Sequence, residues 1–162
     1  MQHINASSLN FLPERVAYLK SFLDFNSNDV AALHAAKPVI TPLIPVVLDA
    51  VYAKLLSFDI TAIAFVPRNT DYEGETVDSV QELTLESPQI AFRKDFLKNY
   101  LVKLVTADYE SKKTWEYLDQ VGVMHTGMPG LKHREKLPGL RVEYIHIGML
   151  LGAFAAAGHS RR

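Results

Sequence analysis

Residues 117–125 read YLDQVGVMH, and Thr126 and Gly127 follow directly. Leu118, Val121, Gly122 and His125 recur at helical spacing, so they share one face of a helix that Trp115 opens. Gly127 suits the stop, because glycine readily takes the left-handed conformation that closes a helix. The shared face is apolar except for its last member. An imidazole turned toward apolar neighbours needs a partner, and either a hydrogen bond in an ordinary core or a metal ion meets that need. Spacing alone leaves both open for His125.

Working outward, the remaining segments also read as helices. Pro13 fits a first helical turn, and Val16, Leu19 and Leu23 mark one face as far as Phe25. Ser27 or Asn28 is the expected cap of a second helix running to Lys37 and ended by Pro38. Thr41-Pro42 reads as the start of a third, in which Ile44, Val47, Leu48, Val51, Tyr52 and Leu55 form a wide apolar stripe. A short helical piece runs from Asp59 to about Phe65, and residues 66–86 form an acid-rich loop carrying Asp71, Glu73, Glu75, Asp78, Glu82 and Glu86. That run lacks the register of a calcium loop and reads as solvated. Ser87-Pro88 starts a helix in which Phe92, Phe96 and Tyr100 recur every four residues. Asp108 is the expected cap of the helix ending at His125. Glycine and proline make 126–140 an irregular connection, and a last apolar helix begins near Arg141. No alternating strand pattern occurs, so the fold class is all-α.

The chain's 162 residues suit one domain that buries about two-thirds of its unfolded surface. Seventeen basic residues against eighteen acidic ones leave a net charge of −1, with no basic excess for nucleic acid or an anionic membrane. The absence of cysteine excludes disulfides, thiolate nucleophiles, Cys-zinc sites and C-x-x-C-H attachment. No secretory signal opens the chain. The apolar run Pro38–Leu56 contains Pro42, Pro45, Asp49 and Lys54, which argue against a lipid-embedded helix. A soluble, cytoplasmic protein is expected.

Enzyme signatures are scarce: neither H-E-x-x-H, G-x-S-x-G nor a phosphate-loop motif is present, and GMPGLK at 127–132 has the wrong spacing for the last. The acids do not pair on facing apolar helices, so no acid–base dyad is expected. Of the other histidines, His3, His133 and His159 lie in terminal or loop segments, His34 in an alanine-rich helix and His146 within the last helix. One constellation remains. His125, Tyr52, Phe92 and Phe96 all belong to apolar faces, and together they supply an imidazole, a hydroxyl and large apolar walls. A haem pocket needs that combination, and an ordinary aromatic core uses the same residues.

At these residues the chain resembles the protoglobin and globin-coupled-sensor family, especially fungal members with a globin-sensor domain. VLDAVYAKLLSFDITAIAF at 47–65 is similar to the family's B-to-C helix segment with its tyrosine, and FRKDFLKNYLVKLV at 92–105 to its E helix. YLDQVGVMHTG at 117–127, followed by LPGLRVEYIHIGMLLGAF, is similar to the F-helix histidine and the start of the G helix.

The resemblance implies a globin-like helical sandwich with an extra N-terminal helix, and a pocket for non-covalent haem b. It implies His125 as the iron ligand, Tyr52 as the distal hydroxyl that contacts bound oxygen, and Phe92 and Phe96 as distal E-helix residues. Phe65 and Tyr144 become further wall residues. Gly122 either lets the haem approach its helix or relieves helix packing. The expected ligand is oxygen or another diatomic gas such as NO or CO, bound without enzymatic turnover and used in gas sensing. The whole chain, 1–162, reads as a single domain shortened within its penultimate helix, its final helices incomplete. A homodimer completing the pocket, and a haem-free helical interaction module or degenerate globin fragment, follow as alternatives.

Overall fold

The computed structural model describes residues 1–69, 72–128 and 141–159, with side chains described as far as Ala153. Asp71 of the acidic loop, His133, and the Pro129–Leu140 part of the connection with most of GMPGLK lie outside the described residues.

A 3-10 turn at Ala6–Asn10 leads into α1 (Leu12–Phe22), with Pro13 in its first turn as expected. Asp24 takes φ 52°, and Phe25 N–H reaches back to Lys20 O at 2.9 Å, so a left-handed corner closes the helix. The ring of Phe25 is thereby delivered onto Tyr109 and Trp115, with centroids 5.4 and 6.1 Å away.

The start of α2 (Ser27–Ile40) differs from expectation by one residue: Asn26 is the cap. Asn26 Oδ1 accepts from Asn28 N at 2.9 Å and Asp29 Oδ2 accepts from Asn26 N at 2.8 Å, a reciprocal box that satisfies two orphan donors. The larger correction is at Pro38, which stands inside α2 instead of ending it. The backbone continues through a 3-10 turn at Thr41–Leu43 into α3 (Ile44–Leu56). Thr41 is therefore not a fresh N-cap. Its hydroxyl and its N–H both reach back to Lys37 O, so helical bonding is maintained between the prolines, whose missing donors would otherwise break it. The resulting Ser27–Leu56 run is long and apolar enough to cross a membrane by length and composition, although one side of it forms the core.

That core side consists of Ile44, Leu48, Val51 and Tyr52, all buried. After α4 (Asp59–Ala62) and a 3-10 turn at Ile63–Phe65, the chain makes the expected long loop, with a 3-10 turn at Val80–Glu82. α5 (Pro88–Leu104) then packs across α3. Ile90 is completely buried between Val51 and Tyr52, and this burial contributes about 1.5–3 kcal/mol. Lys94 Nζ lies 2.7 Å from Asp49 Oδ1 and ties the same pair of helices at their rim.

α6 (Lys112–Met124) begins at Ser111 and not at the expected Asp108. Asp108 instead shapes the corner before it: its carbonyl accepts from Thr114 Oγ1 at 2.6 Å and its carboxylate from Glu110 N at 3.0 Å. Trp115 Nε1 donates to Tyr109 O at 2.8 Å, and the buried Tyr109 hydroxyl donates to Leu104 O at 2.7 Å. Arg15 Nη2, 2.5 Å from Asp119 Oδ1, holds α1 against α6. Gly127 takes φ +86°, the expected stop. α7 (Tyr144–His159) starts three residues later than expected. No strand occurs among the described residues beyond a single bridge between Thr126 and Arg141, and the fold is all-α.

Candidate functional site

His125 is the C-cap of α6 and is half-buried. Its Nδ1 lies 2.7 Å from the Val121 carbonyl oxygen one turn earlier. A carbonyl can only accept, so Nδ1 carries the hydrogen, which leaves Nε2 as the nitrogen able to offer a lone pair. The hydrogen bond also orients the ring, as an outer partner does for a metal-bound imidazole.

Gly122 shares this face, and a Cβ built there meets nothing within 4 Å among the described residues. No described element packs closely enough on Gly122 to require a glycine there. Gly122 thus leaves open space on the helix face that His125 ends.

Tyr52 is buried on α3 and packs against Phe65 with centroids 5.6 Å apart. Val51 and Ile90 complete that cluster. Phe92 and Phe96 touch edge to face at 5.0 Å, and Tyr72 from the loop leans on Phe92 at 5.2 Å. Sequence periodicity placed the Phe92–Phe96–Tyr100 row on the inner side of α5. The deepest positions are instead Gln89, Ile90 and Arg93, with Ile90 rotated roughly 120° from the middle of that row, while Phe96 remains 38% exposed. Those aromatics form a partly open apolar row beside the core, the kind of surface that a flat apolar ligand would cover.

Tyr144 stands at the start of α7 and is 88% exposed, so it lines no wall among the described residues. The structure thus joins Tyr52 with Phe65 and Phe92 with Phe96, while His125 and Gly122 come together from a different helix. The open grooves along α1, one of them lined by Leu12, Val16, Lys20 and Trp115, contain none of these residues.

Two polar residues escaped the sequence reading. Gln89 is 2% exposed; its Nε2 donates to Phe65 O and its Oε1 accepts from Val77 N, both at 2.9 Å. Arg93 donates to Pro67 O at 2.9 Å and lies over the Phe65 ring at 5.2 Å. Both fasten the start and middle of the long loop to α5 and hold Phe65 against Tyr52. The cue was present: Gln89 and Arg93 lie four apart, flanking Ile90. Polar side chains are nevertheless read as outward by default.

Burial raises the phenol pKa of Tyr100, Tyr109 and Tyr117, and the neighbouring Tyr117 and Tyr109 add to the effect at Tyr100. These tyrosines lie where α5 turns into α6, with Tyr100 and Tyr117 at 6.4 Å. They remain neutral and apolar in character well above physiological pH.

Residues 12–157 match a family model described as Protoglobin. No curated protein and no solved structure matches the chain.

Proposed function

The chain belongs to the protoglobin family, and from that premise we propose that it binds haem b non-covalently through His125 Nε2 and holds a diatomic gas at the iron. The observation that carries the reading is the hydrogen bond from His125 Nδ1 to Val121 O, which leaves Nε2 as the nitrogen able to offer a lone pair. An imidazole with one nitrogen held by Val121, open space at Gly122 and a partly uncovered aromatic row at Phe92 and Phe96 support a planar apolar macrocycle as the ligand.

When bound, the haem supplies the iron to which a gas molecule binds. The protein's own residues do the rest. Val121 holds the imidazole in one orientation, so ligation requires little reordering of the ring. Tyr52 and Phe65 make an apolar environment that excludes water, and the Tyr52 hydroxyl is the donor assigned to bound oxygen. Oxygen is the ligand that gains most from such a donor; NO and CO bind with less dependence on it. The role is binding, with sensing as its use, and turnover is not part of the reading.

Titration with ferric haem tests this. A Soret band that saturates with stoichiometric iron, and that shifts or disappears in His125→Ala, is expected. The absence of a saturable band overturns the proposal.

A second reading, a haem-free interaction module, draws on the exposed apolar residues of α7, Ile145, Met149 and Leu151, each at least 58% exposed. It requires concentration-dependent association with no haem stoichiometry.

A further inference from the structure

We propose that two copies of this chain pair through the outward face of the continuous Ser27–Leu56 helix, running antiparallel about a two-fold axis near Pro42. Haem plays no part in this pairing. Only 22% of the apolar 18-residue stretch of that helix is buried. Its inner side, formed by Ile44, Leu48, Val51 and Tyr52, is used in the core. On the other side Ala35, Val39, Pro42, Val46, Asp49 and Ala53 recur at alternating spacings of four and three, and all six are exposed. Helical geometry turns Val46 about 160° away from both Ile44 and Leu48.

Alternation of four and three is the seam by which one helix packs on another, each side chain entering a gap on the partner's seam. Such a seam fits a helix of like shape, and a second copy of the same stretch supplies one. In the antiparallel arrangement the alanine ends of the two helices lie alongside each other, where small side chains let the axes approach. The Val39–Pro42–Val46 centre then meets itself. From Pro38 to Leu48 no residue is charged, so the centre buries no unpaired charge. Asp49, the one charge of the seam, is paired with Lys94 at 2.7 Å.

Area supports the same occupant. Val39, Leu43 and Val46, with Phe58, Ile60 and Ile63 just past the helix's end, are each at least 51% exposed. Each leaves on the order of 100 Å² open, and the exposed alanines and prolines bring the surface to about 800 Å², what each partner contributes to a stable interface. A lipid surface fits less well: the seam's only charge is a carboxylate, whereas anionic headgroups select lysine and arginine.

Sedimentation of the full-length protein tests this. The mass should double as concentration rises through the micromolar range. Val46→Glu should weaken pairing about 100-fold or more, with helix content and urea midpoint unchanged, because Val46 is 68% exposed. Ile145→Glu, on α7, should leave pairing as it was. The chain has no cysteine, so single introduced cysteines report the arrangement. With a short bis-maleimide, Leu43→Cys, beside the axis, should cross-link to its own copy, and Ala53→Cys, about 30 Å from its copy, should not.

A protein that stays monomeric up to about 100 µM overturns the proposal. Pairing that survives Val46→Glu or is lost in Ile145→Glu, or cross-linking through Ala53→Cys, overturns it equally. So does binding to phosphatidylserine vesicles by a protein that remains a monomer, which assigns this face to lipid.

Discussion

Gln89→Leu should destabilise the fold by about 2–3 kcal/mol, although leucine is nearly as large and more apolar. Gln89 is 2% exposed and makes two hydrogen bonds of 2.9 Å, one to the Phe65 carbonyl and one from the Val77 N–H. Leucine leaves both backbone groups without a partner. A buried orphan loses about 1–3 kcal/mol. These two sit in half-buried residues, which places each near the lower end of that range. Their sum is a large share of the roughly 5–15 kcal/mol that holds a domain together. In a urea titration followed by circular dichroism, with a slope of about 2 kcal/mol/M, the midpoint should fall by about 1–1.5 M. The slope itself should not change. Because Phe65 packs on Tyr52, haem affinity should fall as well. A loss in stability below about 0.5 kcal/mol would refute the view that Gln89 fastens the long loop to α5.

Three further outcomes follow from the site and its surroundings. Gly122 has open space around it among the described residues, so Gly122→Ala should raise the stability of the haem-free protein by up to about 1 kcal/mol through helix propensity, while Gly122→Leu lowers haem affinity about ten-fold or more; equal haem affinity in Gly122→Leu contradicts the approach of a ligand to that position. Tyr52→Phe should speed oxygen release about 2- to 13-fold, the equivalent of a net hydrogen bond of about 0.5–1.5 kcal/mol, measured by stopped-flow displacement; equal rates reject the contact. Burial raises the phenols of Tyr100, Tyr109 and Tyr117, so the folded state binds their protons more tightly than the unfolded chain does. Their contribution to stability is complete below about pH 10 and disappears as pH rises through the folded values. Urea midpoints that stay level through that alkaline window, or phenolate absorbance that rises at the unfolded value, contradict this.

Much of the architecture was legible because helical periodicity and punctuation agree along most of the chain. Gly127 closes α6 as its position suggested, and Asp59, Pro88 and Pro13 open helices where they should. Pro38 misled, because a proline breaks a helix only when its lost donor and its ring cannot be accommodated. The Thr41 hydroxyl and N–H, both bonded to Lys37 O, keep the turn closed at that point. Caps were misplaced at Asn26 and Ser111 for a related reason. Several neighbouring residues are chemically able to cap, and only the three-dimensional turn selects one. At the candidate site, the helical face of His125 was readable, but the hydrogen bond that orients its ring was not. That depends on the Val121 carbonyl, a backbone group present in every sequence. Gln89 and Arg93 were invisible for the opposite reason: their partners are loop carbonyls and an N–H brought close by the fold alone.

His125 is proposed to offer Nε2 to haem iron while Val121 holds its other nitrogen. His125→Gly, titrated with ferric haem in the presence and absence of free imidazole, tests it most directly. The Soret band of the unaltered protein should be lost or shifted in the variant and restored when imidazole occupies the vacated ligand position. A variant whose Soret band matches that of the unaltered protein without added imidazole would contradict the claim, because another group would then be holding the iron.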